Sequence, residues 1–253
     1  MTTKDREIII GGNNTNYAGV ATIYMGNAGN NPKFDHWYSG SALAQWILPS
    51  VHKKDGYSYQ LPSDASTSAQ AIHFGTLTVV NDETTFNCVA NPTTYMVVGE
   101  RDTDASVVNG SFNHHALNLT KAGTDKLTLG PAVEMVEGST IDVTAGELAV
   151  NSTNLVNATV TIESGATLSG TGTVASVTFE AGSKVRIPED ADESLTYDLI
   201  RTAGVITGKP EIVGPTPAKG KWKIKTKSAT EDETSYTVLY AKFSKSGLII
   251  VIK

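Results

Sequence analysis

The chain has 253 residues, a formal net charge of −6 and only 18% charged residues. That length allows one large domain or two ordinary ones, and the charge gives no global attraction to nucleic acid or to an anionic membrane. Glycine is frequent, at 23 residues, beside many threonines, serines, valines and asparagines, so the composition predicts strands separated by turns, an all-β protein. The single cysteine, Cys88, excludes an intramolecular disulfide and a cysteine-based metal cluster, and it reads as a small buried residue.

Residues 1–113 read as an N-terminal β-rich region that includes a cap. The opening "MTTKDREIII" lacks the apolar stretch of a signal peptide; it fits a cytoplasmic protein or, the preferred reading, a mature segment with an added initiator methionine. No run reaches the roughly 20 apolar residues of a membrane helix, so a membrane-spanning protein is not expected. "SALAQWILPSV", Ser41 to Val51, has the pattern of a short helix that Pro49 stops. Trp37 and Tyr38 are candidates for a sugar-stacking surface, because an aromatic face suits the apolar side of a pyranose ring; packing of the same rings in the core or cap is the preferred alternative. In "ERDTDAS", Asp102 and Asp104 offer oxygens to a calcium ion but lack the dense spacing of a dedicated loop, so exposed loop charge is preferred. His114 and His115 are adjacent and face opposite ways in a regular strand, so they do not both ligate one ion. A loop position is expected for them, and no metal site.

Residues 114–208 carry a returning phrase: apolar, any, apolar, two more, glycine. It occurs as Val133-x-Met135-x-x-Gly138, Ile141-x-Val143-x-x-Gly146, Val160-x-Ile162-x-x-Gly165 and Val177-x-Phe179-x-x-Gly182. The two apolar residues of each phrase point to one side of a strand, and the glycine turns the chain because it reaches positive φ without a Cβ penalty. A second short strand follows, at Leu148 and Val150, at Leu168, or at Val185 and Ile187. Gly146, Gly165 and Gly182 recur at close to one coil of a solenoid, while Gly138 and Gly146 are near enough to be two corners of one coil. Such recurrence predicts stacked rungs that bury their inward faces against one another. A right-handed parallel β-helix is the simplest geometry. A β-sandwich of hairpins is the alternative, and the near-absence of two-residue hairpin turns counts against it.

Residues 209–253 read as a strand-rich C-terminal cap, needed because an open solenoid end exposes unpaired edges. "TSYTVLYAKFSKSGLIIVIK" predicts two strands joined at Ser244 to Gly247. Ahead of it, Lys219, Lys221, Lys223, Lys225 and Lys227 alternate with other residues, so an extended strand places all five ammonium groups on one face. Two uses compete: contact with an anionic glycan or lipid head group, and protection of a sheet edge, which is preferred. "PEDADES", Pro188 to Ser194, reads as a solvated acidic connector.

"LTKAGTDKLTLG", "AGELAV" and "GATLSGTGTVASVTFEAGSKV" together resemble the autotransporter-associated β-strand repeat of large bacterial surface passengers. "YDLIRTAGVITG", Tyr197 to Gly208, is similar to the segment that often closes such arrays, and "NNTNYAGVATI", Asn13 to Ile23, is a weaker echo. The likeness covers about Leu117 to Gly208. It implies export and a surface-exposed or secreted β-helix, and it brings no catalytic residue with it. The translocator barrel of such passengers has no counterpart in this chain, which implies an excised piece or another route to the surface.

The acids of the rungs, Glu134, Glu137, Asp142, Glu147, Glu163 and Glu180, flank corners or sit outward one at a time. The acids of β-helix polysaccharide lyases and hydrolases converge instead. No G-x-S-x-G phrase and no phosphate-binding loop occurs. The expectation is therefore a non-catalytic display or adhesion module without cofactor or metal. Its partners are anionic glycans or host and cell-surface components rather than nucleic acid, and self-association is left open. The alternatives are a carbohydrate-binding spike and a polysaccharide-degrading β-helix enzyme.

Overall fold

The computed structural model describes residues 105–245 without a break and, ahead of them, the segments 21–24, 44–48, 58–60, 72–74, 76–79, 85–88 and 93–99. After β1 (Ala21–Tyr24) the chain winds in coils of three short strands: β2 (Ala44–Leu48), β3 (Ser58–Gln60) and β4 (Ile72–Phe74), then β5 (Thr76–Val79), β6 (Thr85–Asn87) and β7 (Thr93–Val98), then β8 (Ser106–Val108), β9 (Ser111–Asn113) and β10 (Ala116–Lys121). The later coils have two sides in strand: β11 (Lys126–Leu129) with β12 (Ser139–Val143), β13 (Glu147–Val150) with β14 (Leu155–Ile162), and β15 (Thr167–Gly170) with β16 (Thr173–Phe179). The chain closes through β17 (Lys184–Arg186), β18 (Thr196–Thr202), β19 (Ile206–Thr207), β20 (Glu211–Val213), β21 (Lys221–Glu231) and β22 (Thr234–Ser244).

Strands that occupy the same side of successive coils pair in parallel. Sheet 1 has nine strands in the order β1-β2-β5-β8-β11-β13-β15-β17-β20, sheet 2 has β3-β6-β9, and sheet 3 has ten in the order β21-β22-β18-β16-β14-β12-β10-β7-β4. The protein is a parallel β-solenoid, and the strand pairing runs through position 113 without interruption, β7 with β10 and β8 with β11. Among the described residues no helix is long and apolar enough to cross a membrane.

The repeated phrase dictates the stacking. Ile141, Val160 and Val177 stand in register on consecutive coils of sheet 3, as do Val143, Ile162 and Phe179. On sheet 1 the residues after the glycines form a second file, Leu127, Leu148, Leu168 and Val185, each at most 1% exposed. Full burial of such a side chain contributes about 1.5–3 kcal/mol. Gly138 and Gly146 flank β12 and are two corners of one coil, both at positive φ. At Gly146 the backbone is also crowded: a Cβ would lie 2.5–2.7 Å from the carbonyl oxygens of Asp125, Gly123 and Thr124. The phrase at Val133 and Met135 is the exception. Both residues are buried, but the segment lies on the third side, outside any strand.

That third side changes character along the solenoid. Where it is a strand, Phe86 and Phe112 stack inside sheet 2 with ring centres 4.9 Å apart. Where it is not, polar side chains close the corner: Ser139 Oγ accepts from the Leu117 amide at 3.1 Å and donates to the Val136 carbonyl at 2.7 Å. Lys121, at an inward position of β10 and 1% exposed, donates to the Ala122, Gly123 and Ala145 carbonyls.

β18 turns the solenoid into its cap. On one side it pairs in parallel with β16, and on the other it is antiparallel to β22, which continues the hairpin to β21. The inner face of the hairpin packs an aromatic plug on the last coil. Trp222 meets Tyr197 and Phe243 edge to face, at 5.9 and 5.8 Å, and donates to the Pro215 carbonyl.

One expectation needs correction. Ala44–Leu48 is a strand rather than part of a helix, paired in parallel with β1 and β5. A stretch this short ahead of a proline does not repay helix nucleation, whereas ladders on both flanks pair its backbone, and tertiary context overrides a weak propensity. The cap hairpin turns at Asp232–Glu233, so the partner of β22 is the lysine-rich strand. The second strand expected after Gly247 lies outside the described residues.

Candidate functional site

The outer face of the cap hairpin is built by alternation. In β21 the even positions turn inward, with Trp222 buried and Ile224 half-buried, and Lys221, Lys223, Lys225 and Lys227 are exposed. β21 is the terminal strand of sheet 3. Among the described residues no further strand pairs with its outer side, and positive charge at such a position discourages pairing with another chain. Lys219 is exposed but precedes the strand. Gly220, at φ 106°, bends the chain between them, so the extended alternation begins at Lys221.

The antiparallel register adds groups that sequence reading missed. Lys242 of β22 stands opposite Lys223, and Thr196 of β18 stands opposite Lys242. In the next row Lys225 faces Tyr240, and Tyr240 faces Asp198. Lys227 Nζ is 2.6 Å from Asp198 Oδ1 and 5.4 Å from the Tyr240 ring centre, while Arg201 pairs with Glu231 at 2.6 Å. Among the described residues no acid forms an ion pair with Lys221, Lys223, Lys225 or Lys242.

A second charged constellation lies on the outer face of sheet 1. Glu147, with its side chain 13% exposed, accepts from Arg186 Nε at 2.7 Å, from Ser169 Oγ at 2.7 Å and from Lys126 Nζ at 3.1 Å. Burial pushes its carboxyl up, but the hydrogen bonds from Ser169, Arg186 and Lys126 outweigh this and hold it below the usual glutamate value. On sheet 3, Asp142 is pushed up by burial, with a hydrogen bond from Thr161 opposing. Neither carboxylate has an acidic neighbour one coil away. Asp142 lies between Thr120 and Thr161, and Glu147 between Lys126 and Thr167. Two rung acids therefore do not meet at these positions in the way a pair of sugar-cleaving carboxylates must.

The remaining candidates separate. His114 is exposed and His115 half-buried, in the turn between β9 and β10, with His114 at φ 77°. Cys88 is buried, and burial pushes its thiol up to about 12. Among the described residues no group of three or more His, Cys, Asp or Glu side chains is placed to hold a metal ion. Trp37, Tyr38, Asp102 and Asp104 lie outside the described residues.

Compared with known proteins, the chain matches no family model, no curated protein and no solved structure. The functional reading therefore rests on the residues themselves. The cap face has one chemical capability that stands out: a sheet face carrying several exposed lysines that pair with no acid among the described residues attracts a polyanion, the more so at low ionic strength.

Proposed function

We propose that this chain is a non-catalytic bacterial surface or secreted β-solenoid module that displays an adhesive face and contacts anionic glycans. The observation that carries the reading is the exposed row of Lys221, Lys223, Lys225 and Lys227, joined by Lys242, on the hairpin that closes the solenoid. Stacked coils suit display, since each rung is held by its neighbours and the array keeps its order without a separate core at each level. The likeness of Leu119–Gly130, Ala145–Val150 and Gly165–Val185 to the autotransporter-associated repeat supports a surface location.

Binding of the purified chain to a glycan array at low and at moderate salt tests the proposal. The expected result is retention of acidic glycans that weakens with salt and is lost when Lys221, Lys223, Lys225 and Lys227 are changed to glutamine. A silent array would remove the adhesive role, and the release of shortened sugar chains from a polysaccharide would replace it with the degrading enzyme.

A further inference from the structure

The cap face is uneven in its charge compensation, and the unevenness locates a subsite. In the rows nearest the hairpin tip the cations are answered within the fold, Lys227 by Asp198 and Arg201 by Glu231. The row nearer the solenoid end holds Lys223 directly opposite Lys242, with Thr196 beside Lys242 on the third strand. Lys221 and Lys225 flank Lys223 on the same face, about 7 Å away along the strand. Directly opposed residues of an antiparallel pair have Cβ atoms about 5 Å apart, and like charges there are destabilising. Lys223, Lys242 and Thr196 are all exposed, so a ligand reaches the row from solvent without displacing any packed group.

We infer that Lys223 and Lys242 form an oxyanion subsite for a sulfate ester or carboxylate carried on a linear polysaccharide. This rests on reading the cap face as the contact surface and names where the polymer is held. An oxyanion between the two ammonium groups turns a repulsion into two charge-assisted hydrogen bonds, and Thr196 supplies a hydroxyl donor at the end of the row. The alternation of Lys221, Lys223 and Lys225 along the strand suits a chain with repeated charges better than an isolated ion. Nucleic acid is a poorer fit: the large rings Trp222 and Phe243 are buried on the opposite face, and the two tyrosines of this face, Tyr236 and Tyr240, are half-buried, Tyr240 with Lys227 over its ring, so splayed bases meet no open stacking platform. A lipid surface is poorer still, because Val238, the aliphatic residue facing Lys227, is fully buried and neither β21 nor β22 carries an exposed large aliphatic side chain to insert.

Thermal unfolding of the full chain in sodium sulfate and in sodium chloride at matched ionic strength tests the subsite, with K223Q, K242Q and, as a control at an exposed lysine beyond β22, K245Q. Sulfate raises Tm of any folded protein to some degree by exclusion from its surface, so the informative quantity is the difference between variants. Wild type and K245Q are expected to gain the larger Tm increment, and K223Q and K242Q to lose the excess while unfolding no earlier than wild type in chloride. Equal increments in all four proteins would overturn the subsite. Dextran sulfate, uncharged dextran and a single-stranded oligonucleotide form the second arm, with binding expected for dextran sulfate alone and weakened at least several-fold by K242Q. A site-specific sulfate increment without dextran sulfate binding would overturn the polymer and leave the adhesive reading without its contact. Dextran sulfate binding that K223Q and K242Q leave intact would overturn the subsite and spare that reading. Oligonucleotide binding as tight as that of dextran sulfate would overturn the glycan assignment.

Discussion

Arg186 reaches across two coils to Glu147: its Nε lies 2.7 Å from Oε2 although the residues are 39 apart in sequence. The bridge lies over the outward positions Thr167 and Ser169, which are 7% and 6% exposed on the coil between them, and Ser169 donates to the same carboxylate. Glu147→Gln removes the charge that Arg186 and Lys126 answer. We expect a loss of about 1–3 kcal/mol in urea unfolding at pH 7. The carboxyl is held below its usual value, so its contribution is full above the unfolded-state pKa and is lost as pH falls through the lower folded one. The variant should lose that part of the acid dependence, and an acid limb identical to wild type would show that the bridge does not contribute.

Asp142 has the opposite sign. Burial raises its pKa, so the folded chain holds this proton more tightly than the unfolded chain, and stability falls as pH rises from the usual aspartate value through the raised one. Asp142→Asn is expected to stabilise the protein at neutral pH and to flatten that segment of the profile. A midpoint at pH 7 that drops below wild type would contradict this.

The cap hairpin turns on two residues with positive φ that are not glycine, Asp232 at 48° and Glu233 at 64°. Left-handed backbone costs an L-residue about 1–2 kcal/mol, and the turn type this geometry matches prefers glycine at its second position. Glu233→Gly should therefore stabilise the chain by about 1 kcal/mol, read as a higher urea midpoint at constant slope.

Stacking in register makes core positions sensitive and loop positions tolerant. Leu148, fully buried between Leu127 and Leu168, should cost about 2–5 kcal/mol as Leu148→Ala. Val205, 64% exposed beside β19, should change stability by no more than about 0.5 kcal/mol as Val205→Ser. Comparable losses at both positions would be incompatible with a continuous inward file.

What was legible in the sequence follows from how local the cause was. The glycine phrase is local: a two-residue period followed by a corner encodes both the strand and its inward side, so Ile141, Val160 and Val177 read correctly as equivalent positions. The phrase at Val133 matches in letters but not in structure, because burial alone satisfies its apolar residues on a side that carries no strand. Ser41 to Val51 reads as a helix because its pairing partners at Ala21–Tyr24 and Thr76–Val79 are distant in the chain. The lysine alternation was visible, but Lys242 and Tyr240 were not, since their place opposite Lys223 and Lys225 depends on a turn at Asp232–Glu233 that lacks the usual glycine signal. The Glu147–Arg186 bridge was hidden for another reason. The coil shortens from 21 residues between Lys126 and Glu147 to 17 between Thr167 and Lys184, and no fixed period aligns the pair.

The measurement that tests the central claim most directly is the salt dependence of dextran sulfate binding by wild type and by single lysine-to-glutamine variants of the cap face. If the face neutralises the polymer, the logarithm of affinity falls linearly with the logarithm of salt concentration, and each of K221Q, K223Q, K225Q and K242Q lowers the slope by about one. K245Q leaves the slope unchanged. Binding whose slope is the same in all of these proteins, or no binding at low salt, would contradict a polyanion-binding role for the cap.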